Sequence, residues 1–400
     1  MYLKEDAWWM SPYNEVGAVL DTFNIAPRVE IHDATLRDGE QTPGVVLSWE
    51  DKVEIARRLA EIGVERIEAG MPAVSKSDYK AIVEICKLNL GAKIFTFSRA
   101  LKGDIDMAVD CGANGVVIEI PLGYPKLKYQ FGWTWENVLE KSIECVDYAK
   151  SQGLYTVYFP YDTTRARVED LENVLGGLMK HTPPDSVGVV DTMGCALPAV
   201  IGYLVKKVKK ITGLPVEIHT HNDFGMGVAA EIEGIIAGAE CVHSCIGGLG
   251  ERTGNAALEE LMMVMKLMLG LENDYKLEEL PALCEYVAKV TGTTFSPNKP
   301  IVGERNYVRE SGIGVDLVLK EPLAMFATNP KYFGRSGEIV LGKKSGRASV
   351  EYMLSDMGIT GCNEEQIMEM LNQVKALGIE KRRLLVDEEF RKIVERVTGK

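Results

Sequence analysis

A (β/α)8 barrel followed by a smaller α-rich domain is the fold class that this sequence predicts. Three observations point to it. Eight short β-branched runs alternate with longer amphipathic stretches over about 240 residues from residue 28, the size of such a barrel. Polar residues cluster where most of these runs end, and a barrel carries its chemistry at strand C-terminal ends. Near residue 290 the alternation gives way to turn-rich and charged helical segments. A doubly wound open sheet is the alternative. It wants a glycine-rich phosphate loop after its first strand, and Asp38-Gly39-Glu40-Gln41 is not one.

Residues 1–27 read as an ordered N-terminal extension whose Trp8-Trp9 pair packs on something, a partner subunit among the options. Residues 28–290 form the barrel. Its strands are expected at 29–32, 66–69, 93–97, 116–120, 156–159, 187–190, 216–219 and 241–246. A helix over 49–62 has Ser48 as N-cap and Gly63 just past its end. Further amphipathic helices are expected over 135–152, 168–179, 199–211 and 256–269. Residues 124–135, rich in Tyr, Trp, Lys and Phe, read as a lid over the pocket, as a ligand-facing loop or as a plain packed loop. Residues 291–400 read as an α-rich subdomain. Its Lys381-Arg382-Arg383 triplet reads as a solvated turn between helices rather than a binding patch.

Composition excludes several classes. A net charge of −13 argues against nucleic-acid binding, although local arginines still admit anionic substrates. No apolar run approaches a membrane span, and the start of the chain lacks a basic segment followed by an apolar one. The eight cysteines are scattered without a Cys-x-x-Cys, which predicts reduced core thiols in a cytoplasmic protein.

Two motifs carry chemistry. The first, Asp33-Ala34-Thr35-Leu36-Arg37-Asp38-Gly39-Glu40-Gln41, follows strand one. Arg37 is a fixed cation that can polarise a carbonyl oxygen, and Asp38 beside it is a hard oxygen ligand. The second is His219-Thr220-His221-Asn222-Asp223. In a strand, residues i and i+2 share a face, so His219 and His221 point the same way. Two of only five histidines fall in this one stretch. Two imidazoles with a carboxylate suit a divalent metal that keeps positions open for substrate oxygens. Glu68, Asp162, Asp191-Thr192 and the 250–255 segment end other strands and join them at one face. His243 reads as a core histidine, and His32 as a buttress of the first motif. The glycines at 247, 248 and 250 let backbone pass close to the site.

These residues resemble the metal-dependent family that includes isopropylmalate, homocitrate and citramalate synthases and hydroxymethylglutaryl-CoA lyase, the DRE-TIM metallolyases. The resemblance runs from about residue 28 to 360 and rests on DATLRDGEQTPG (33–44), IEAGMPAVS (67–75), EIHTHND (217–223) and GLGERTGNAALE (248–259). A fifth block, VLGKKSGR (340–347), is similar to the synthases' second domain. The resemblance implies Asp38, His219, His221 and Asn255 as ligands of Mg²⁺, Mn²⁺, Zn²⁺ or Co²⁺. It implies Arg37 as the carbonyl-polarising cation, Thr192 as the hydroxyl on the 2-oxo acid's carboxylate, and Glu68 and Gln41 as groups in or next to the site. The implied reaction is a Claisen-type condensation of acetyl-CoA with a 2-oxo acid, in a homodimer whose second domain crosses to the partner barrel.

The chain departs from that pattern in the second domain. Where the synthases carry a segment like AF-x-HESGIH, this chain has Asn306-Tyr307-Val308-Arg309-Glu310-Ser311-Gly312-Ile313-Gly314, and no histidine follows His243. The tyrosine that follows in the synthases is unmatched, and their glutamate after strand five appears as Asp162. Three readings follow. In the first, a synthase has rebuilt its second-domain contribution. Arg309 or Arg305 then binds an anionic group, which suits a dicarboxylic 2-oxo acid, and Glu310, Tyr307 or a water takes the proton role. In the second, a lyase or aldolase runs the carbon–carbon bond the other way. In the third, the chain is a non-catalytic metal-binding subunit. With about 400 residues there is no room for a further regulatory domain, which predicts no feedback inhibition through one.

Overall fold

The computed structural model describes residues 2–399. The chain divides into two compact units, one from Tyr13 to Phe295 and the other combining the chain up to Pro12 with the chain from Ser296 onward.

The first unit is a closed barrel of eight strands: β1 (Glu30–Asp33), β2 (Arg66–Glu68), β3 (Lys93–Ser98), β4 (Gly115–Pro121), β5 (Tyr155–Tyr161), β6 (Ser186–Asp191), β7 (Val216–Thr220) and β8 (Cys241–Ser244). Every neighbouring pair is parallel, and β8 closes on β1 with His243 opposite His32 and Ser244 opposite Asp33. The strand expected over 241–246 stops at Ser244. From Cys245 the backbone leaves β1 and bonds Ala256 O instead, before a single turn at Ile246–Gly248.

A helix follows each strand: α1 (Trp49–Glu61), α2 (Lys76–Lys87), α3 (Lys102–Cys111), α4 (Trp135–Ser151), α5 (Val168–His181), α6 (Pro198–Thr212), α7 (Gly227–Ala237) and α8 (Leu258–Leu267), with α9 (Leu280–Thr291) after them. The sequence argues well for α1. Ser48 Oγ accepts Asp51 N–H at 3.1 Å while the Asp51 carboxylate accepts Ser48 N–H, a reciprocal cap, and the helix buries Ile55, Ala56 and Leu59. Glycine matters for α7. A Cβ on Gly234 would lie 1.8 Å from Ile218 Cδ1, so glycine lets this helix pack on β7 without displacing the Ile218 side chain.

Inside the barrel, Phe95, Phe97, Val117, Val157, Phe159 and Val190 form an apolar layer. Tyr158 points the other way, its hydroxyl 2.9 Å from Ser142 on α4, which confirms the alternation along β5. The 124–135 stretch forms a short helix (Tyr124–Lys126) and one wide turn (Leu127–Phe131), with Lys126 over the Tyr161 ring and Arg167 over Tyr124.

The second unit contains helices α10 (Val315–Lys320), α11 (Arg347–Asp356), α12 (Glu364–Lys381) and α13 (Asp387–Thr398), and a two-residue parallel ladder of Val308–Arg309 with Glu338–Ile339. Its core joins Val350, Leu354, Met370, Val374, Phe390 and Ile393. The Trp8-Trp9 pair packs here: Trp8 stands edge-on to Tyr332, and Trp9 N–H bonds Ala327 O at 2.8 Å. Among the described residues no helix is long and apolar enough to cross a membrane.

Candidate active site

At the C-terminal end of β1 the chain turns sharply, with Asp38 N–H and Gly39 N–H both bonding Ala34 O. That turn aims Arg37 and Asp38 into the barrel mouth. Arg37 is almost enclosed and held on two sides: its Nε lies 2.6 Å from Glu68 Oε1, and its Nη1 3.1 Å from Asp38 Oδ2. The guanidinium lies over the Phe97 ring at 4.5 Å. Burial by itself would raise the Glu68 carboxyl, but Arg37 and a contact from His32 outweigh it and hold it at about 2. Glu68 is therefore an anionic clamp that fixes where the Arg37 charge sits.

β7 brings His219 and His221 to the same point. Their Nε2 atoms lie 3.2 and 3.6 Å from Asp38 Oδ2. Burial lowers both imidazoles, His221 to about 4, so both are neutral near pH 7, the form that ligates a metal. Asp38 is held well below the carboxylate range. Burial opposes this, and the Arg37 charge with the two imidazoles overcomes it. The three donors lie within 4.8 Å of one another.

Asn255 arrives from the loop after β8, bridged to His221. Its Nδ2 donates to Leu249 O at 3.1 Å, which leaves Oδ1 buried and unpartnered. Asp38 Oδ1 is likewise buried without a hydrogen bond. Two unsatisfied buried oxygens beside two neutral imidazoles form a hard, mixed N/O donor set that fits a divalent cation. The loop is folded tightly enough to require glycine: at Gly254 φ is +83°, and a Cβ would meet Gly248 O at 1.8 Å. Arg252 ties the rim together, bonding Asp223 at 2.9 Å and Thr192 O at 2.6 Å.

The other expected residues are placed differently. Thr192 Oγ1 accepts Asp162 N–H at 2.9 Å, so its own proton remains free to donate. The Asp162 carboxylate is taken by Arg165, with contacts of 2.7 to 2.9 Å, and is a brace rather than an open acid–base group. Gln41 is exposed and makes no side-chain hydrogen bond among the described residues. Arg309 and Glu310 belong to the second unit. There Arg309 Nη2 donates to Ile313 O at 2.9 Å, and Glu310 Oε1 accepts Lys344 N–H at 3.0 Å.

His32 does abut Glu68, at 3.4 Å, and stacks on His243 with ring centres 4.2 Å apart. His32, Glu217, Cys241 and His243 form a second group with metal-ligand atoms close together. Arg66 occupies it with its own charge, Nη1 lying 2.7 Å from Glu217 Oε1, which opposes a further cation there. One residue was missed. Glu119 on β4 lies two residues beyond Val117 and shares its inward face. Burial pushes its carboxyl up to about 7, with the charges of Arg37 and Lys126 opposing the rise. Arg37 spends its hydrogen bonds on Glu68 and Asp38, not on Glu119.

A parallel barrel whose mouth holds a fixed guanidinium beside a buried N/O donor set defines a class: barrels built to seat a divalent cation against a polarisable oxygen. The chain belongs to the HMGL-like family, whose model matches residues 28–287, and a homocitrate synthase post-HMGL domain-like model matches residues 301–382. It is 39% identical to the homocitrate synthase AksA of Methanopyrus kandleri over 97% of this chain and 96% of that one. It is 38% identical to the 2-isopropylmalate synthase of Methanocaldococcus jannaschii, over 95% of this chain and 74% of the relative. To the putative (R)-citramalate synthase CimA of Archaeoglobus fulgidus it is 39% identical, over 92% of this chain and 75% of the relative. The HMG-CoA lyase of Bacillus subtilis shares the fold, with a TM-score of 0.60 and 18% identity over 68% of this chain and 96% of that one.

Proposed function

We propose that this chain is an acyltransferase that condenses acetyl-CoA with a 2-oxo acid, water then cleaving the thioester of the adduct to give a 2-hydroxy di- or tricarboxylate and CoA. The observation that carries this reading is the convergence of the clamped Arg37 with Asp38, His219, His221 and the free Asn255 oxygen at one barrel mouth. The three sequence relatives named above are synthases, which supports the direction of synthesis over cleavage.

Asp38, His219, His221 and Asn255 would hold a divalent metal, whose contribution when bound is Lewis-acid polarisation of a carbonyl. The chain's own residues do the rest. Arg37 presents a desolvated positive charge where an alkoxide develops, and Glu68 keeps it from reorienting during the reaction. Thr192 offers its hydroxyl proton to the carboxylate of the 2-oxo acid, and the Asp162 backbone N–H fixes that hydroxyl's lone pair. Glu119, poised near neutrality, is the barrel carboxyl suited to accept a proton from the acetyl methyl group.

Thiol release from acetyl-CoA by metal-reconstituted protein tests the reading. Pyruvate, 2-oxoisovalerate, 2-oxoglutarate, oxaloacetate and glyoxylate form the panel, with product masses checked. Release that depends on both metal and one acid is the expected outcome and names the substrate. Silence across the panel, with cleavage of a 3-hydroxyacyl-CoA instead, would replace synthesis by lysis.

A further inference from the structure

We propose that the second unit carries a binding site for a phosphorylated nucleotide, formed where Arg305, Lys343, Lys344, Arg382 and Arg383 converge on one cavity. The cavity is about 930 Å³, within the range of small-molecule sites. Five cations and a single carboxylate, that of Glu310, line it, in a chain whose net charge is −13. Such local excess against the global sign gathers anions from solution.

The simplest alternative is a solvated turn. The C-terminal end of α12 carries a partial negative charge, and cations there need no ligand to explain them. That accounts for Arg382 and Arg383. It does not account for Arg305, Lys343 and Lys344, which arrive from two other parts of the chain. The segments that bear the cations are fixed to one another by backbone. Val340 N–H bonds Arg309 O at 3.0 Å, and Leu385 N–H bonds Leu341 O at 2.9 Å. Gly378 lets the last turn of α12 close on the lysine loop, since a Cβ there would come within 2.9 Å of Lys343 N. Arg382 keeps a left-handed φ of +53°, a place where glycine is the usual occupant.

The cations are not all neutralised from within. Arg383 is taken by Glu389 at 2.6 and 3.0 Å, and Lys344 by Glu310 at 3.7 Å. Lys343 and Arg382 have no ion pair among the described residues and remain available to an anion. The floor is apolar, and Ile379 and Val386 in it are 56% and 54% exposed. Guanidinium and ammonium groups beside an uncovered aliphatic floor match phosphates joined to a flat base. A bare anion would leave that floor in water.

Two sources share this chemistry: the nucleotide end of CoA, which rests on the condensation proposed above, and a free adenine nucleotide, which does not. Calorimetric titration of the full chain with adenosine 3′,5′-bisphosphate, CoA, ATP and inorganic phosphate separates them. Both residues of a K343A/R382A variant are exposed, and its melting temperature should match wild type. One nucleotide should bind per chain, more weakly as salt rises, and at least tenfold more weakly in the variant. Binding of CoA and the bisphosphate without ATP identifies the co-substrate's nucleotide, and preference for ATP identifies a separate effector; either supports the site. No nucleotide binding, affinity unchanged in the variant, or inorganic phosphate binding as tightly as the nucleotides overturns it. Because these titrations need no turnover, a protein that fails to release thiol but passes them would sink the condensation reading alone.

Discussion

Arg37 makes contacts that a lysine in its place cannot reproduce. Its fork reaches Glu68 and Asp38 at once while its plane lies on Phe97, and an ammonium offers neither the fork nor the plane. Arg37→Lys should lower kcat/KM for the 2-oxo acid at least ~100-fold, the cost of misplacing one charge-stabilising group. Metal affinity, followed by Co²⁺ absorption, should stay within a few-fold. Activity within threefold of wild type would remove Arg37 from its role. Asn255→Ala tests the fourth donor in the opposite way: metal affinity should fall by at least ~10-fold, as loss of supporting groups around metals does, with acetyl-CoA affinity unchanged. An unaffected metal titration would return Asn255 to a purely structural part. Much of this site could be read from residue order alone. His-x-His on a strand and Arg-Asp after one have few other uses. Glu119 could not be read so. In Val117-Ile118-Glu119-Ile120 the apolar run is nearly continuous, and only the barrel's register decides which way the carboxylate faces.

Individual elements show where local signals suffice and where tertiary packing takes over. The reciprocal cap at Ser48 is a local device, and Ser48→Ala should cost ~1 kcal/mol in urea denaturation while leaving turnover unchanged. Loss of turnover with that substitution would mean that α1 steers the site, contrary to its place on the outer ring. The loop after β8 is the reverse case. Gly254→Ala puts a Cβ into Gly248 O at a positive φ, so the loop must rebuild and Asn255 must move. The expected result is a loss of ~1–3 kcal/mol together with weakened metal binding. A stable variant with full metal affinity would show that the loop is not what places Asn255. The sequence announced the strands because they are rich in β-branched residues and most of them end in polar residues. It left α2, α3, α7 and α9 undrawn. For α2 the local signal is a cap, with Ser75 Oγ accepting the Asp78 N–H. For α7 there was little to read: its sequence GVAAEIEGIIA is small and apolar almost all round, and six of its eleven residues are buried, so the helical period is blurred.

At the scale of the molecule, the barrel stores opposite titrations in one interior. His243, stacked on His32 and bonded to Glu217, is held at about 4 mainly by burial. Unfolded, it titrates near 6.5. Between those values the unfolded chain binds more protons than the folded one. The stability that neutral His243 represents is therefore present above pH ~6.5 and is lost as pH falls towards ~4. Glu119 runs the other way. Its folded value of about 7 lies above the ordinary 4.5, so the folded chain holds the extra proton. Its contribution is complete below pH ~4.5 and is lost as pH rises through ~7. Asp33, raised to about 6 by burial, adds to that second trend, so the net pH curve of the wild type cannot isolate either group. Paired variants can. With chelator present, urea unfolding of wild type, His243→Asn and Glu119→Gln across pH 4 to 8 should give two differences of opposite slope. Wild type should lose ground to His243→Asn as the medium is acidified, and to Glu119→Gln as it is made alkaline. Each full unit of displaced pKa is worth ~1.4 kcal/mol, well above the error of such measurements. Two flat differences would mean that water reaches both groups, and a barrel so wetted could not hold Arg37 as a desolvated charge.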